Sequence, residues 1–393
     1  MNPSQSRGLR SDWTSYAGFL LNGMGVVMLG PLLPRLGHIW MLSDPQRGAL
    51  LAAQFLGNSL GTILVPRRGR TAIVAGSLYS WIGMSAIALL LTVSSDTKKI
   101  ESFACLSLFV FGFGLGQVIT TLNLSVGEQA RGRAGRLSFG NALWSVGAIV
   151  SPLLLAFSLR SASPVRFLLW FAVAFLLFGL TFQISAARFK ADAHNAALPL
   201  APTSRLPTLT VLMFASLLLL YGGAETSFSG WLTTFAVRAA SAGETASAFC
   251  TSAFWLGVAG GRAVSSGILR NYPERRTMYF LLTGASICGL GLLLSGSVVS
   301  IVVWAAGCGT LLGPVFPAAL ASLLAQRPTA RQCGVALAAC GAGASAMPLL
   351  LSVISQRTSS LRFALLLPCM CLLLMLVFVW KLPRAVEETH LPA

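Results

Sequence analysis

Charge is what this chain of 393 residues has least of: only 10% of it is Asp, Glu, Lys or Arg, and acids are the scarcer sign, 11 against 28 bases. Soluble domains carry about 25% charged residues, so a soluble multidomain enzyme would lack surface. Histidine is nearly absent too. His38, His194 and His390 fall at loops or in the tail, and no His-x-x-x-His pair exists to hold a catalytic zinc. A glycine-rich phosphate loop ending in lysine is also missing, which argues against a pump driven by ATP. The apolar runs do not alternate with polar residues, which excludes a transmembrane β-barrel. No cofactor and no bound metal are expected.

What is present is hydrophobic residue, 55% of the chain, at a mean hydropathy of +0.75. Twelve apolar segments stand out, at 14–34, 48–66, 71–93, 102–127, 137–159, 166–187, 208–237, 245–269, 277–295, 298–325, 333–355 and 361–382. Each suits a helix crossing a hydrocarbon layer about 30 Å thick. Met1–Asp12 is polar, so no cleavable signal is expected before the first of them. All eight cysteines lie in or beside apolar runs and read as small core residues rather than disulfides or metal ligands. The net charge of +17 could suggest nucleic acid. The bases, however, come in twos and threes at segment ends, where they set orientation and touch lipid headgroups, so nucleic acid is not an expected partner. With the N-terminus inside, about twice as many Lys and Arg fall on the cytoplasmic side as outside, which places both termini in the cytoplasm.

The one long polar connection, Arg188–Pro207, divides the chain into 1–187 and 208–393. The halves repeat each other. Gly147-Ala-Ile-Val-Ser-Pro152-Leu-Leu-Leu in segment five returns as Gly343-Ala-Ser-Ala-Met-Pro348-Leu-Leu-Leu in segment eleven. Likewise Leu56-Gly57-x-x-x-Gly61 in segment two matches Leu256-Gly257-x-x-x-Gly261 in segment eight. Both pairs join segments six apart in the same orientation. The expected fold is therefore all-α: twelve transmembrane helices in two pseudo-symmetric six-helix bundles, with a solute site between them.

Between segments two and three lies the turn Arg67-Arg68-Gly69-Arg70. With that turn in place, the chain resembles a major facilitator superfamily transporter over essentially its whole length. The resemblance implies gating roles for Arg67 and Arg70, and Arg262 sits in the counterpart of this region in the second half. The family usually has an acid before the first arginine, where this chain has Pro66. Tyr221-Gly222-Gly223-Ala224-Glu225 with Gly230-Trp231, Phe254-Trp255-x-Gly257, and Gly112, Gly114 and Gly116 followed by Asn123 look like the branch holding fucose permease and sodium-dependent glucose transporters. The drug-antiporter signature of segment five is half present, since Ser151-Pro152 replaces its Gly-Pro pair.

Two ionisable residues lie inside apolar segments, Glu225 in segment seven and Arg262 in segment eight. A charge there costs about 2.5–3.5 kcal/mol to insert, so each needs a reason. Glu225 shares a helix face with Tyr221 and Ser229, and is expected to bind a proton or cation or to meet substrate hydroxyls. Gly222 and Gly223 would let the helix break just before it; a glutamate satisfying unwound backbone is the competing reading. Counted by rise per residue, Glu225 falls in the outer half of the membrane and Arg262 in the inner half, so no direct ion pair is expected. Arg262 reads first as a gating residue holding carbonyl ends of neighbouring helices. Gly260 and Gly261 before it are expected to admit a close neighbour.

Asn22, Gln54, Asn58, Gln117, Asn123 and Asn141 supply donors and acceptors without net charge. With Trp144, Tyr221, Trp231 and Trp255 they suit a hydroxylated solute with a flat apolar face; interhelical glue is the alternative for each amide. Pro31, Pro34, Pro314 and Pro317 are expected to bend helices one and ten. The sequence therefore points to a monomeric secondary transporter of a bacterial inner membrane. Its expected partners are a small sugar-like solute, a coupling proton or sodium ion, and membrane lipids. Proton-coupled efflux of drug-like or amphipathic metabolites is the alternative.

Overall fold

Hydrocarbon offers no water to backbone amides, so an apolar run must close its own hydrogen bonds as a helix. The computed structural model describes residues 3–65, 69–93, 97–127, 133–161, 164–187, 206–268, 274–326 and 328–382, and helix is the only regular structure among them. In the first half stand α1 (Pro3–Ile39), α2 (Asp44–Ile63), α3 (Gly69–Leu90), α4 (Thr97–Gly127), α5 (Arg133–Ser161) and α6 (Pro164–Ala187). The second half has α7 (Thr208–Ala240), α8 (Glu244–Ile268), α9 (Glu274–Leu294), α10 (Val298–Leu312), α11 (Val315–Ala325), α12 (Ala330–Thr358), α13 (Leu361–Ala364) and α14 (Leu366–Lys381).

Local signals place the ends. Ser43 caps α2, its backbone N–H donating to Gln46 Oε1 at 2.8 Å, and Pro45 occupies the first turn where a missing N–H costs nothing. Thr329 and Gln332 form a reciprocal capping box at the start of α12. Segment ten divides at Gly313–Pro314 into α10 and α11, as its prolines predict, whereas α1 runs unbroken through Pro31 and Pro34. Segment twelve opens with the separate turn α13. The expected break at Gly222–Gly223 does not occur: α7 is one continuous helix of 33 residues.

Among the described residues, ten helices or bent helix pairs are long and apolar enough to cross a membrane. The two that fall short, α2 and α8, are corresponding rods of the two halves. Each is diluted by polar side chains, Asp44, Arg47, Gln54 and Asn58 in one and Thr251, Ser252 and Arg262 in the other. Large apolar side chains point outward, with Trp170 74% and Phe280 75% exposed, as only lipid would tolerate in such number.

The repeated motifs do the same packing work twice. Gly57 and Gly61 bring α2 against the α4 backbone at Phe109 and Phe113, where any side chain would collide with a carbonyl. Gly257 and Gly261 bring α8 against α10 at Ala306 and Thr310 in the same manner. Gly147 lets α5 meet α1 at Leu20, and Gly343 lets α12 meet α7 at Leu219. Gly260, by contrast, faces open space. Contacts across the halves are also paired: α2 packs on α12, and α5 packs on α8.

Candidate functional site

A cavity of about 720 Å³ lies where α1, α2 and α5 face α7, α8, α11 and α12. It reaches the face carrying the α2–α3 turn, where Thr62 and Ile63 at the end of α2 oppose Arg331 and Gly334 at the start of α12. Its deep wall is aromatic: Trp144 of α5 and Trp255 of α8 meet edge to face at 5.5 Å, and Phe316 of α11 stands beside Tyr221.

Glu225 is the one carboxylate of the described lining, its side chain 15% exposed. Its Oε1 accepts from Tyr221 OH at 2.6 Å and from Arg262 Nη2 at 3.1 Å. The ion pair overturns the expectation from residue counting. Long helical side chains lean toward their own N-terminus. Because α7 and α8 are consecutive and antiparallel, Glu225 and Arg262 lean toward each other and close the gap in depth. Arg262 also donates from Nε to the Gly313 carbonyl at 3.2 Å. That oxygen would serve the N–H four residues on, but Pro317 has none. The expected capture of a carbonyl end by Arg262 is therefore present, at the break between α10 and α11. Gly222 and Gly223 serve approach rather than breakage: α12 lies against them at Cys340 and Met347, and Thr226 ties the helices by donating to the Ala344 carbonyl at 3.1 Å.

The carboxamides are arranged differently from the sequence expectation. Asn22 is fully buried; its Nδ2 donates to Leu115 O at 2.9 Å and its Oδ1 accepts from Trp144 Nε1 at 3.1 Å, joining α1, α4 and α5. Gln54 Nε2 donates to Val26 O at 3.0 Å, joining α2 to α1. Asn123 donates to Ile119 O on its own helix. Gln117 is buried within the α4 packing, its Oε1 without a partner among the described residues, and Asn141 is exposed on α5. None of these five is part of the cavity lining; Asn58, Ser59 and Thr62 of α2 are. Trp231 is fully buried in the packing of α7 and also stays off the cavity. Of the expected site, the structure thus brings Glu225, Tyr221, Arg262, Trp144 and Trp255 together. Arg67 lies outside the described residues, and Arg70 is described only as part of the α3 backbone.

The face opposite the cavity mouth is closed by a charge cluster built on Asp44, which the sequence reading does not single out, with arginines it counts only as orienting flanks. Asp44, at the first position of α2, accepts from Arg238 of α7 at 2.7 and 2.5 Å and from Ser355 of α12 at 2.6 Å. Arg47 stands 3.6 Å away. Burial alone would raise the Asp44 pKa, but these donors and cations outweigh it and hold the carboxyl below its ordinary value. An acid placed in the first turn of a helix, in a chain with so few acids, was the available signal.

Among the described residues no three His, Cys, Asp or Glu side chains gather as a metal site, and all eight cysteines are free thiols.

Comparison with known proteins gives the same architecture. Residues 16–332 match the Major Facilitator Superfamily. A protein of Saccharomyces cerevisiae, bypass of stop codon protein 6, is 23% identical over 93% of this chain and 80% of its own length. A D-xylose-proton symporter has a similar fold at TM-score 0.73 and 13% identity, covering 97% of this chain and all of that one. A bacterial homologue of the human lysosomal transporter Spinster, inward-facing and occupied, gives 0.73 at 13% identity, covering 98% of each chain. The Escherichia coli fucose:proton symporter gives 0.61 at 14% identity, covering 95% and 98%.

Proposed function

The chain belongs to the major facilitator superfamily and is an integral multi-pass transporter; on that premise we propose that it moves a small amphipathic solute by alternating access, coupled to protons through Glu225. The observation that carries this reading is the cavity itself, a pocket between halves with one paired carboxylate in its wall. In this reading twelve rods cross the membrane, both termini are cytoplasmic, and bundles 1–187 and 208–393 rock about the cavity on the connection 188–207. The connection's residues 188–205 lie outside those described. The cavity mouth then faces the cytoplasm, and Asp44, Arg238 and Ser355 form the closed outer gate. Short connections support the inner membrane of a bacterium as its place, and the reading takes a monomer as the working unit. Gating by Arg67 and Arg70 belongs to the same reading.

A carboxylate that exchanges its arginine for a proton links the charge of the site to the state of the cavity. Solute and proton then change each other's affinity by the same factor. An amphipathic cargo is favoured because aromatic and aliphatic groups dominate the wall. A neutral sugar is the second reading, supported by the xylose and fucose symporters of similar fold. Of the carboxamides expected to meet its hydroxyls, Asn22, Gln54 and Asn123 instead bind backbone carbonyls, while Asn58 lines the cavity. Sodium as the coupling ion has less support, since Glu225 stands against a cation already.

The test is solute-dependent proton movement in proteoliposomes, followed with a pH dye trapped inside, using solutes that raise the melting temperature of the purified protein. Wild type is expected to accumulate solute against its gradient when a pH gradient is imposed. Glu225→Gln should keep solute exchange and lose accumulation. Equal accumulation by both proteins overturns the coupling role, and no flux of a solute that binds overturns the transport reading of the cavity.

A further inference from the structure

We propose that the solute is an organic anion whose carboxylate-type group takes the place of Glu225 on Arg262 when Glu225 takes up a proton. This rests on the cavity being the transport site and adds the chemical class of the cargo.

The charges of the pocket are unequal. Glu225 is the lone carboxylate of its described lining, while Arg262 stands directly behind Glu225 and Arg331 stands exposed at the mouth, paired with no carboxylate among the described residues. An apolar funnel with one acid and two guanidinium groups attracts anions. The geometry of the pair allows exchange. Glu225 meets Arg262 at a single point, through Oε1 alone, whereas a guanidinium can serve two oxygens at once. Arg262 is meanwhile held from the other side by the Gly313 carbonyl, so loss of the Glu225 charge leaves the cation where it is.

The groups facing Glu225 are few. Tyr221 comes from α7, Arg262 from α8 and Cys340 from α12, with Arg331 farther out. In the described lining α1 presents Val26, Val27 and Gly30, α2 presents apolar and uncharged polar side chains, and α11 presents Phe316. Among the described residues no second acid can take over the role. The empty protein holds a Glu225 carboxylate on the Arg262 guanidinium. The loaded protein holds a Glu225 carboxylic acid, with the solute carboxylate on that same guanidinium. One proton enters with one negative charge, so both states are neutral at the pair. Anion without proton, or proton without anion, would leave a buried charge uncompensated, which disfavours both and sets the ratio at one to one. Phe55, Trp144, Trp255 and Phe316 are left to receive the apolar body.

The experiment compares carboxylates with their neutral amides on the purified full chain: phenylacetate and phenylacetamide, 1-naphthylacetate and its amide, decanoate and decanamide. Affinity is measured by calorimetry from about pH 5 to pH 8, and proton uptake by an indicator dye in weak buffer. At least one acid should bind about tenfold or more tighter than its amide, the ratio expected for a charge-assisted hydrogen bond. It should take up one proton per molecule bound and weaken as pH rises. Glu225→Gln should bind the same acid with no proton uptake and no pH dependence, and Arg331→Gln should weaken it severalfold and flatten its salt dependence. If Glu225→Gln does not fold, the wild-type proton count still decides. No preference for the acid in any pair, including a panel in which nothing binds, overturns the proposal, as does acid binding without proton uptake. Proton-driven flux of a neutral solute would overturn this inference alone. A bound acid that never crosses the membrane would overturn the transport reading beneath it.

Discussion

A carboxamide surrounded by hydrocarbon takes the nearest carbonyl, and Asn22 and Gln54 do so at 2.9 and 3.0 Å. Their worth is therefore mechanical. Gln54→Leu should lower stability by about 1–3 kcal/mol, since it removes a buried bond, while leaving solute affinity within about twofold. Reversible unfolding together with ligand titration checks both halves of that statement. Trp144→Phe should behave as a mixed case: the Asn22 bond is lost, and the cavity wall changes shape as well. Which residues gather at the cavity was legible at this scale for Glu225, Trp144 and Trp255, with Arg262 behind Glu225, because a charge or a large polar ring in an apolar run demands an explanation. Which way the amides face was not. A helix that is apolar on every side carries no periodic signal to mark its inner face. The Glu225–Arg262 pair escaped because residue counting gives the depth of Cα atoms and says nothing of where long side chains lean.

At the scale of helices the repeat is a packing instruction written twice. Gly57→Ala and Gly257→Ala should each destabilise by about 1–3 kcal/mol, because the added methyl meets a backbone that cannot yield. Gly260→Ala, one turn on in α8 and facing open space, should be neutral or stabilising by up to about 1 kcal/mol. Melting temperatures of the three variants make the comparison. If the first two match the third, close approach is not what those glycines secure. The order of helices could be read from apolar length and a bend in segment ten from its prolines, although the same signal leaves α1 unbroken. Gly222–Gly223 could not, since paired glycines serve a broken helix and a tight crossing equally well, and the choice is made by Cys340 and Met347 in a helix far along the chain.

For the molecule as a whole, the alternating-access reading makes the balance between two open states depend on the closed face. Removing the Asp44 charge takes away bonds to Arg238 and Ser355 that join α2 to α7 and α12. Asp44→Asn should shift the equilibrium toward opening of that face by on the order of 2 kcal/mol, about thirtyfold. Faster deuterium uptake at the start of α2 and the end of α7 is the measurement. The carboxyl is held below its ordinary pKa in the closed form, so its contribution is whole above roughly pH 4 and fades only as pH falls through the lowered value. Uptake at these peptides, corrected for intrinsic exchange, should therefore be flat from about pH 6 to pH 8; a change there would place the titrating group elsewhere.

Pro317 strips one carbonyl of its helical partner, and the cation that answers it is the same one that answers Glu225. A single guanidinium is clasp to an acid and splint to a fractured rod. Because the Gly313 carbonyl anchors that cation when Glu225 lets go, the same bond that splints the joint keeps the receiving group in place.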